Sequence, residues 1–311
     1  MSLAKILLFS YNRPEKLKVC LNSLSNAKLF KDSKIYIFQD GYKNYDCKKF
    51  HSCKLILNDF KKKNDNIILS FRERNLGLKN NILKGINESV LNNEKFICIE
   101  DDLILSRYFI LYMNQKLKLL NDKVAHISAW SPKNITTNNS YYSQIMFCWG
   151  WGSSFYHWQN FNDKIINLNE LEINNLKIFS YNFSSNLAGQ LIRNIKGSLN
   201  TWAVWWAYSI YKNKFLCVNP ALSYVRNDGF NFSGTNFSKK KINNHNEKFV
   251  MNRKEHLNNK FLNSNIQKEN DIVRKKLIIF FSRGFVGKVR YVLLNILKFF
   301  YLKKIIYRLY D

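Results

Sequence analysis

The feature that most constrains the fold is the alternation of short apolar runs with amphipathic segments along the first third of the chain. Short apolar runs are typical of buried strands, and apolar residues spaced three or four apart are typical of helices. The runs predict strands at 4–11, 34–41, 66–75 and 95–102, and the spacing predicts helices at 13–26, 76–91 and 107–120. In the second helix the spacing puts Leu78, Ile82, Ile86 and Val90 on one side. We therefore predict an α/β fold with a mostly parallel sheet flanked by helices.

Polar residues follow each of the four predicted strands. They form four clusters: residues 11–13, 40–41, 72–75 and 100–102. In open parallel sheets, ligands bind beyond the carboxyl ends of the strands. We therefore expect the four clusters to converge on one crevice.

Three consecutive acids, Glu100, Asp101 and Asp102, follow the fourth apolar run. Adjacent carboxylates repel one another unless a cation lies between them. Mg²⁺ and Mn²⁺ prefer oxygen ligands and are typically held by one or two carboxylates together with substrate phosphates. The position predicts a divalent cation site for a nucleotide diphosphate, and a solvated acidic turn is the alternative.

The chain is strongly basic, with 49 Lys and Arg against 22 Asp and Glu and a formal net charge of +27. None of the common nucleic-acid-binding motifs is found, so no nucleic-acid partner is predicted. The excess fits an anionic membrane face or phosphate-bearing substrates, or a compositional bias towards Lys, Asn and Ile. Six cysteines without a CxxC pair indicate reduced thiols in a cytosolic protein.

The C-terminal part differs from the rest in composition. Residues 237–273 are predicted to be a polar linker, and residues 274–311 carry ten Lys or Arg and a single acid among Phe, Leu and Ile. This second segment predicts basic amphipathic helices that lie on the inner leaflet of the membrane. The alternative is a helix pair that closes the domain or forms a dimer contact. The N-terminal apolar run is too short to span a membrane and lacks the features of a secretory signal.

The motifs resemble those of a glycosyltransferase with the glycosyltransferase A fold. The chain is most similar to a bacterial group that acts on surface polysaccharides, distantly akin to the N-acetylglucosaminyltransferase I family. The resemblance covers residues 4–236, with 1–102 as a nucleotide-binding half and 103–236 as an acceptor half. The matching pieces are SYNRPEKLKVCLNSL, QDG, RNLGLKNNILKGI, IEDDLILSRYFILYMN, HISAW, CWGWGSSFYHW, TWAVWWAYSIYKNKFLCVNPALSYVRN and GFNFSGTN.

The resemblance implies roles for individual residues. Those expected at the nucleotide, with Asp40 near the base, are Asn12, Arg13, Asp40, Arg72, Asn75 and Gly77. Glu100 would contact the ribose or hold its loop, Asp101 would support it, and Asp102 would bind the metal. The tryptophans expected to contact the sugar or the acceptor are Trp149, Trp151 and Trp202, because indole faces stack on the apolar faces of sugars.

Two positions depart from the family pattern. Related sequences have a histidine, a candidate further metal ligand, where this chain has Asn236. Distant relatives have an aspartate, the catalytic base, where this chain has Ala203. An inverting transfer needs a carboxylate within hydrogen-bond reach of the acceptor hydroxyl, and Asp228 and Asp163 are the candidates nearest in the sequence.

The resemblance implies a metal-dependent transferase, using Mn²⁺ or Mg²⁺, that moves a sugar from a nucleotide-diphosphate donor to a lipid-linked or lipooligosaccharide glycan. A sugar nucleotidyltransferase of the same fold is disfavoured, because the first strand is followed by SYNRPEKL without a glycine. A non-enzymatic membrane- or RNA-binding protein is the alternative from another class. The donor sugar, the acceptor, the linkage, the stereochemistry and the oligomeric state stay open.

Overall fold

The computed structural model describes residues 2–43, 47–92, 94–133, 135–136, 140–164, 168–228, 268–282 and 292–293. The chain divides into two compact units. The first consists of Met1–Tyr141, Met146–Gln159 and Cys217–Gln267. The second consists of Tyr142–Ile145, Asn160–Leu216 and Lys268–Asp311. Each unit is described by itself.

The first unit begins with four strand segments separated by three helices. The strands are β1 (Lys5–Ser10), β2 (Ile35–Gln39), β3 (Ile67–Phe71) and β4 (Lys95–Glu100), and the helices are α1 (Pro14–Ser25), α2 (Cys47–Lys62) and α3 (Gly77–Ser89). The chain continues through β5 (Leu103–Leu105), α4 (Phe109–Lys116), β6 (Val124–Ser128), β8 (Trp151–Ser154), α5 (Phe155–Trp158), β9 (Leu216–Asn219) and β10 (Val225–Asn227). A further strand, β7 (Tyr141–Ser143), has its first residue in this unit and its other two in the second. A 3-10 helix, Leu117–Leu119, follows α4.

The main sheet is mixed, with its parallel part formed by the N-terminal strands. Neighbouring strands follow the order β3-β2-β1-β4-β8-β6-β9. The pairs β3–β2, β2–β1 and β1–β4 are parallel, whereas β8 runs antiparallel to both β4 and β6. The strand order reverses between β1 and β4, and such a switch point opens a crevice at the carboxyl ends of the two strands. The predicted α/β fold is confirmed.

The core of this unit lies on the strands β1, β2 and β4, which are buried along most of their length, whereas β3 is buried only at Ile67. On one face, Phe9 and Phe38 stack with ring centroids 5.4 Å apart. Helix α3 packs directly on them at Gly85, where a Cβ atom would lie 2.6 Å from the Phe9 ring. This close packing sets the position of α3, whose first turn borders the carboxyl end of β2.

The sequence analysis predicted none of the strands after β4, and it missed one helix among the first four strands. Helix α2 was not predicted, although its buried residues Phe50, Cys53 and Leu57 have helical spacing. The short ladder between β5 and β10 forms a separate two-stranded sheet that periodicity over three residues cannot reveal. The spacing put Leu78 on one side of the helix with Ile82, Ile86 and Val90, but Leu78 is 46% exposed, because it lies in the first turn of α3, ahead of the buried stripe that begins at Asn81.

The second unit is helical in its described part. It contains α6 (Ile173–Phe179), α7 (Leu187–Ile195), α8 (Ala203–Lys212) and α9 (Asp271–Phe281), with a 3-10 helix at Leu168–Glu170. Glu269, just before α9, accepts hydrogen bonds from Tyr181 and Arg274. The guanidinium carbon of Arg274 also lies 4.5 Å from the centre of the Tyr181 ring. These contacts attach the start of α9 to the segment after α6.

The predicted basic C-terminal helices are described only at their start. Helix α9 covers the beginning of the predicted segment 274–311 and, with Val273 and Leu277 buried and Lys275 and Lys276 exposed, is amphipathic. Most of the predicted linker 237–273 lies outside the described residues, as does most of 283–311. Among the described residues, no helix has both the length and the apolar character needed to cross a membrane.

A buried histidine makes the stability of the first unit dependent on pH. His126 on β6 is fully buried, its ring stacks on Trp151, and Nε2 lies 3.3 Å from the carbonyl oxygen of Phe147. Burial lowers the pKa of His126 from 6.5 to about 3. Below pH 6.5 the unfolded chain therefore binds a proton that the folded chain does not bind, and stability falls as the pH falls.

We expect this histidine to remove about 2 kcal/mol of the free energy of unfolding between pH 7.5 and pH 5. Urea denaturation at several pH values measures the slope. His126→Gln should flatten it by that amount, while His51→Gln, a substitution of an exposed histidine on α2, serves as the control. An unchanged slope in His126→Gln would show that other groups cause the pH dependence.

Candidate active site

The four polar clusters meet at one edge of the parallel sheet. Backbone hydrogen bonds continue the strand pairing past the strand ends: Asp40 N donates to Ser10 O at 2.9 Å, and Arg72 N donates to Gln39 O at 2.9 Å. On the other side of β1, Asp101 N donates to Phe9 O at 3.1 Å. The residues that follow β1, β2, β3 and β4 therefore form one row, as the sequence predicted.

Arg13 holds the acidic cluster together. It precedes α1, whose start is set by Pro14, and its guanidinium donates to Asp101 and, at 2.8 Å, to Oδ2 of Asp102. The second carboxylate oxygen of Asp101 accepts a hydrogen bond from Tyr11 N at 3.1 Å. Oδ1 of Asp102 is buried and has no hydrogen-bond partner among the described residues.

The electrostatics of the cluster show that its negative charge is not fully compensated. Burial and then repulsion from Asp102 raise the pKa of Glu100. Burial also raises the pKa of Asp101, although the nearby guanidinium opposes the shift. Burial alone would lower the pKa of Arg13, but Asp101 and Asp102 raise it above its ordinary value. Three carboxyl groups share one guanidinium, so the strand ends favour an additional cation.

Asp40 organises the turn before α3. Its Oδ1 accepts hydrogen bonds from Gly41 N at 2.9 Å and Leu76 N at 2.8 Å, and its Oδ2 accepts one from Gly77 N at 2.9 Å. A carboxylate at a helix N-terminus satisfies free N–H groups and interacts favourably with the helix dipole. Burial raises the pKa of Asp40, and the three N–H donors act against that shift.

Two neighbours of Asp40 keep the turn close to β2. Asn75 donates from Nδ2 to the carbonyl oxygen of Gly41 at 2.7 Å. Gly41 has no room for a side chain, since a Cβ atom there would lie 2.2 Å from the carbonyl carbon of Arg74. The backbone of 74–77 thus lies directly against the end of β2.

Arg72 is buried and bound to α3. Its Nε donates to Asn81 at 2.9 Å, its Nη1 donates to Glu88 at 2.7 Å, and the guanidinium lies 5.0 Å from the centre of the Phe38 ring. Its Nη2 is buried without a hydrogen-bond partner among the described residues. Most of the guanidinium therefore serves to attach α3 to the sheet.

Asp228 lies beside Asp102. β10 pairs antiparallel with β5, with Asn227 opposite Leu103, so the next position of the register puts Asp228 opposite Asp102. Asp228 N donates to the carbonyl oxygen of Asp102 at 2.8 Å. Of the two predicted catalytic candidates, Asp228 is the one that belongs to the same unit as the acidic cluster, and Asp163 belongs to the second unit.

The predicted tryptophans have different environments. Trp149 is partly exposed, and its ring meets that of Trp130 edge to face with centroids 4.6 Å apart. Next to Trp149, burial and the carboxylates Glu100 and Asp102 raise the pKa of Cys148 to about 12, so this segment lies within electrostatic reach of the acidic cluster. Trp151, by contrast, is 1% exposed and packs in the core.

The remaining predicted site residues are Trp202, Asn12 and Asn236. Trp202 is 3% exposed and directly precedes α8 in the second unit. Asn12 follows β1 within the row and is partly exposed. Asn236 lies outside the described residues.

Comparison with known proteins gives a family assignment. Residues 6–182, more than half of the 311-residue chain, match the profile of Glycosyl transferase family 2. The chain belongs to glycosyltransferase family 2. It is therefore a nucleotide-sugar-dependent glycosyltransferase. This assignment replaces the two alternatives, a sugar nucleotidyltransferase and a non-enzymatic membrane- or RNA-binding protein. No curated protein matches the chain.

Two solved structures are similar to this family 2 glycosyltransferase. One is a mannosyltransferase from Pyrobaculum calidifontis in complex with GDP-Man and Mn²⁺, with 7% identity, a TM-score of 0.41, and coverage of 68% of this chain and 69% of that chain. The other is TarS 1-349 from S. aureus, with 11% identity and a TM-score of 0.39. That match covers 71% of this chain and 59% of TarS 1-349.

The residues of the glycosyltransferase fit a divalent cation that binds together with a substrate. Among the described residues, no group of three or more His, Cys, Asp and Glu side chains forms a complete metal site. The unpartnered Oδ1 of Asp102 offers one carboxylate oxygen. A single carboxylate together with substrate phosphates is an ordinary arrangement for Mg²⁺.

Sequence reasoning missed two residues of the site region. Lys16 forms an ion pair with Asp228, and its spacing of three residues from Arg13 on α1 was an available signal. Trp130 supports the ring of Trp149, but the two lie 19 positions apart in the sequence and only the folded chain brings them together.

Asp40→Asn tests the turn before α3. The substitution replaces one acceptor oxygen with an NH₂ group that faces a backbone N–H, so it leaves at least one donor unpaired. We expect the free energy of unfolding to fall by about 1–3 kcal/mol. We also expect the thermal stabilisation by UDP with Mn²⁺ to be lost.

Urea denaturation and thermal shift measure the two effects. Asp32→Asn, at an exposed turn position of the same unit, is the matched control and should change stability by less than about 0.5 kcal/mol. Wild-type stability and UDP response in Asp40→Asn would show that the turn does not depend on the carboxylate.

Proposed function

We propose that the chain transfers a sugar from a UDP-sugar to a glycan hydroxyl in the synthesis of lipopolysaccharide, lipooligosaccharide or capsule. The observation that supports it best is Oδ1 of Asp102, a buried carboxylate oxygen without a partner in the described part of the chain. It lies at the switch point of the sheet, in a cluster with more negative than positive charge. Such a position suits a cation that carries the diphosphate of a nucleotide sugar.

The proposed metal ligand is Asp102, with Asn236 as a further ligand. Mn²⁺ or Mg²⁺ bound there would neutralise the charge that develops on the leaving diphosphate. Arg13 donates a hydrogen bond to Oδ2 of Asp102, and this bond fixes the orientation of Oδ1. Asp101 keeps Arg13 in place from the opposite side.

The nucleoside is proposed to bind over the turn that Asp40 organises. Asn12 and Arg13 would border it from the end of β1, and Asn75 and Gly77 from the turn itself. Glu100 would contact the ribose. Arg72 supports this region through its hydrogen bonds to α3, and its buried Nη2, without a partner among the described residues, is proposed to donate to the nucleotide.

Asp228 is proposed as the general base of an inverting transfer, with Asp163 as the other candidate. The register of β5 and β10 supports Asp228, because it lies opposite the proposed metal ligand. A base in that position would take the proton of the acceptor hydroxyl as the hydroxyl oxygen attacks the anomeric carbon. Arg13 and Lys16 keep the two aspartates separately paired.

Trp149 is proposed to contact the transferred sugar or the acceptor, and Trp151 to shape that part of the protein from its buried position. The partly exposed ring of Trp149 can stack on the apolar face of a sugar. Its edge-to-face contact with Trp130 fixes the ring plane. The charges of Glu100 and Asp102 contribute to the raised pKa of its neighbour Cys148.

We also propose that the protein works on the inner face of the cell membrane. The segment 274–311 carries ten Lys or Arg and one acid, and the described helix α9 begins it with an amphipathic pattern. A basic amphipathic segment binds anionic lipid headgroups through its cations and the acyl boundary through its apolar face. A lipid-linked acceptor would be reached from that position.

Substitution of Asp102 tests the reaction. Release of nucleoside diphosphate from a panel of nucleotide sugars, with crude lipooligosaccharide as acceptor, should depend on Mn²⁺ or Mg²⁺ and prefer UDP-sugars. Asp102→Asn should lower kcat by about 10²-fold or more, because it weakens the ligand that stabilises the leaving group. It should also abolish the Mn²⁺-dependent thermal shift with UDP.

Asp65→Asn, an exposed position after α2, is the matched control and should behave as wild type. Metal-dependent activity that survives in Asp102→Asn contradicts the ligand assignment. A complete lack of diphosphate release from every nucleotide sugar contradicts the proposed reaction.

Cosedimentation with vesicles tests the membrane proposal. The protein should bind phosphatidylglycerol vesicles at low salt and bind phosphatidylcholine vesicles much less. Roughly 1 kcal/mol per basic residue near an anionic surface predicts a strong decrease at high salt. Equal binding to both kinds of vesicle, or to neither, would contradict it.

A further inference from the structure

One side of α1 carries a row of polar side chains that contact the strand ends. Arg13 contacts Asp101 and Asp102, and Lys16 contacts Asp228. One turn further on, the thiol of Cys20 lies 3.6 Å from the carbonyl oxygen of Glu100. Ser23 accepts a hydrogen bond from Leu105 N at 3.0 Å. Residues spaced three or four apart share one helix face, so α1 contacts the whole segment from Glu100 to Leu105.

Lys16 makes two contacts with one residue. Its ammonium group donates to the carbonyl oxygen of Asp228 at 2.6 Å and forms an ion pair with the Asp228 carboxylate. Both side chains are mostly enclosed, with 18% and 28% of their surfaces exposed. A bond to the backbone and a bond to the side chain together restrict both the place and the rotation of Asp228.

This double contact acts where two like charges face each other. Asp228 stands opposite Asp102 in the register of β10 and β5, and opposite carboxylates in antiparallel strands destabilise the pair. Arg13 compensates Asp102 and Lys16 compensates Asp228, each from the start of α1. Because Arg13 directly precedes α1 and Lys16 lies in its first turn, the two cations hold the two carboxylates separately.

We propose that Lys16 is a positioning residue that fixes the carboxylate of Asp228 for the transfer step. This inference rests on the proposed function, in which Asp228 is the general base. Lys16 acts through Asp228, since its ammonium group binds both the carbonyl oxygen and the carboxylate of that residue. Without Lys16 the end of β10 keeps its backbone bond to Asp102, but the Asp228 side chain is free to rotate.

Lys16→Met keeps the aliphatic length of the side chain and removes the ammonium group. We expect kcat to fall by about tenfold to 10²-fold, as for a misplaced catalytic group, while KM for the donor and the UDP–Mn²⁺ thermal shift change by less than about twofold. Lys16→Arg, which retains a cation of similar reach, should restore most of kcat. Lys18→Met, an exposed position on the same helix, is the matched control.

A double-mutant cycle with Asp228→Asn tests the route of the effect. Asp228→Asn should lower kcat by about 10²-fold or more, and Lys16→Met should add little in that background, because the carboxylate that it positions is gone. Effects that multiply in the double variant, or a donor KM that rises in Lys16→Met, would overturn the inference in favour of a direct contact with the diphosphate. Wild-type kcat in Lys16→Met would overturn it as well.

The outcomes separate this inference from the proposed function. If wild-type protein releases no nucleoside diphosphate, the proposed function fails. If wild type is active and Asp228→Asn keeps its kcat, Asp228 is not the base and the inference about Lys16 fails while the transferase stands. Urea denaturation of each variant distinguishes a loss of positioning from a loss of folding. If Lys16 acts by positioning, Lys16→Arg should match wild type in stability and restore most of kcat.

Discussion

The interaction on which the site depends is the ion pairing of Arg13 with Asp101 and Asp102. Two buried or nearly buried carboxylates at the end of β4 are tolerable because a guanidinium can bind both at once through its planar fork. The same pairing links the start of α1 to the end of β4 across β1. One side of Asp102 is thereby occupied and the other is left without a partner, which is the condition for binding a substrate-borne cation.

Helix N-termini lie beside the strand ends on both sides of β1. On the side of β4, the first turn of α1 provides Arg13 and Lys16, and their charges face three aspartates. On the side of β2, the backbone N–H groups before and at the start of α3 converge on Asp40. The protein thus holds carboxylates with side-chain cations on one side and with backbone donors on the other.

The sequence allowed β1 to β4, α1, α3, α4 and the row of polar clusters to be predicted because each depends on local periodicity or on the rule for parallel strand ends. Helix α2 was missed although Phe50, Cys53 and Leu57 have helical spacing, since lysines dilute its apolar stripe. The sequence also named Asp40 and Arg72, but it assigned them to the ligand alone. In the fold both also bind the protein itself, Asp40 through backbone donors and Arg72 through Asn81 and Glu88.

By itself the sequence determined the α/β class, the likeness to glycosyltransferases of the glycosyltransferase A fold and the acidic cluster, because apolar periodicity and short motifs are properties of neighbouring residues. Only the tertiary structure decided which residues accompany that cluster. Asp228 lies 126 positions from Asp102 in the chain, and the register of a three-residue ladder puts them opposite each other. Lys16 and Trp130 likewise acquire their partners through packing. Contacts between distant segments depend on the sum of many burial and pairing energies, and no short stretch of sequence contains that sum.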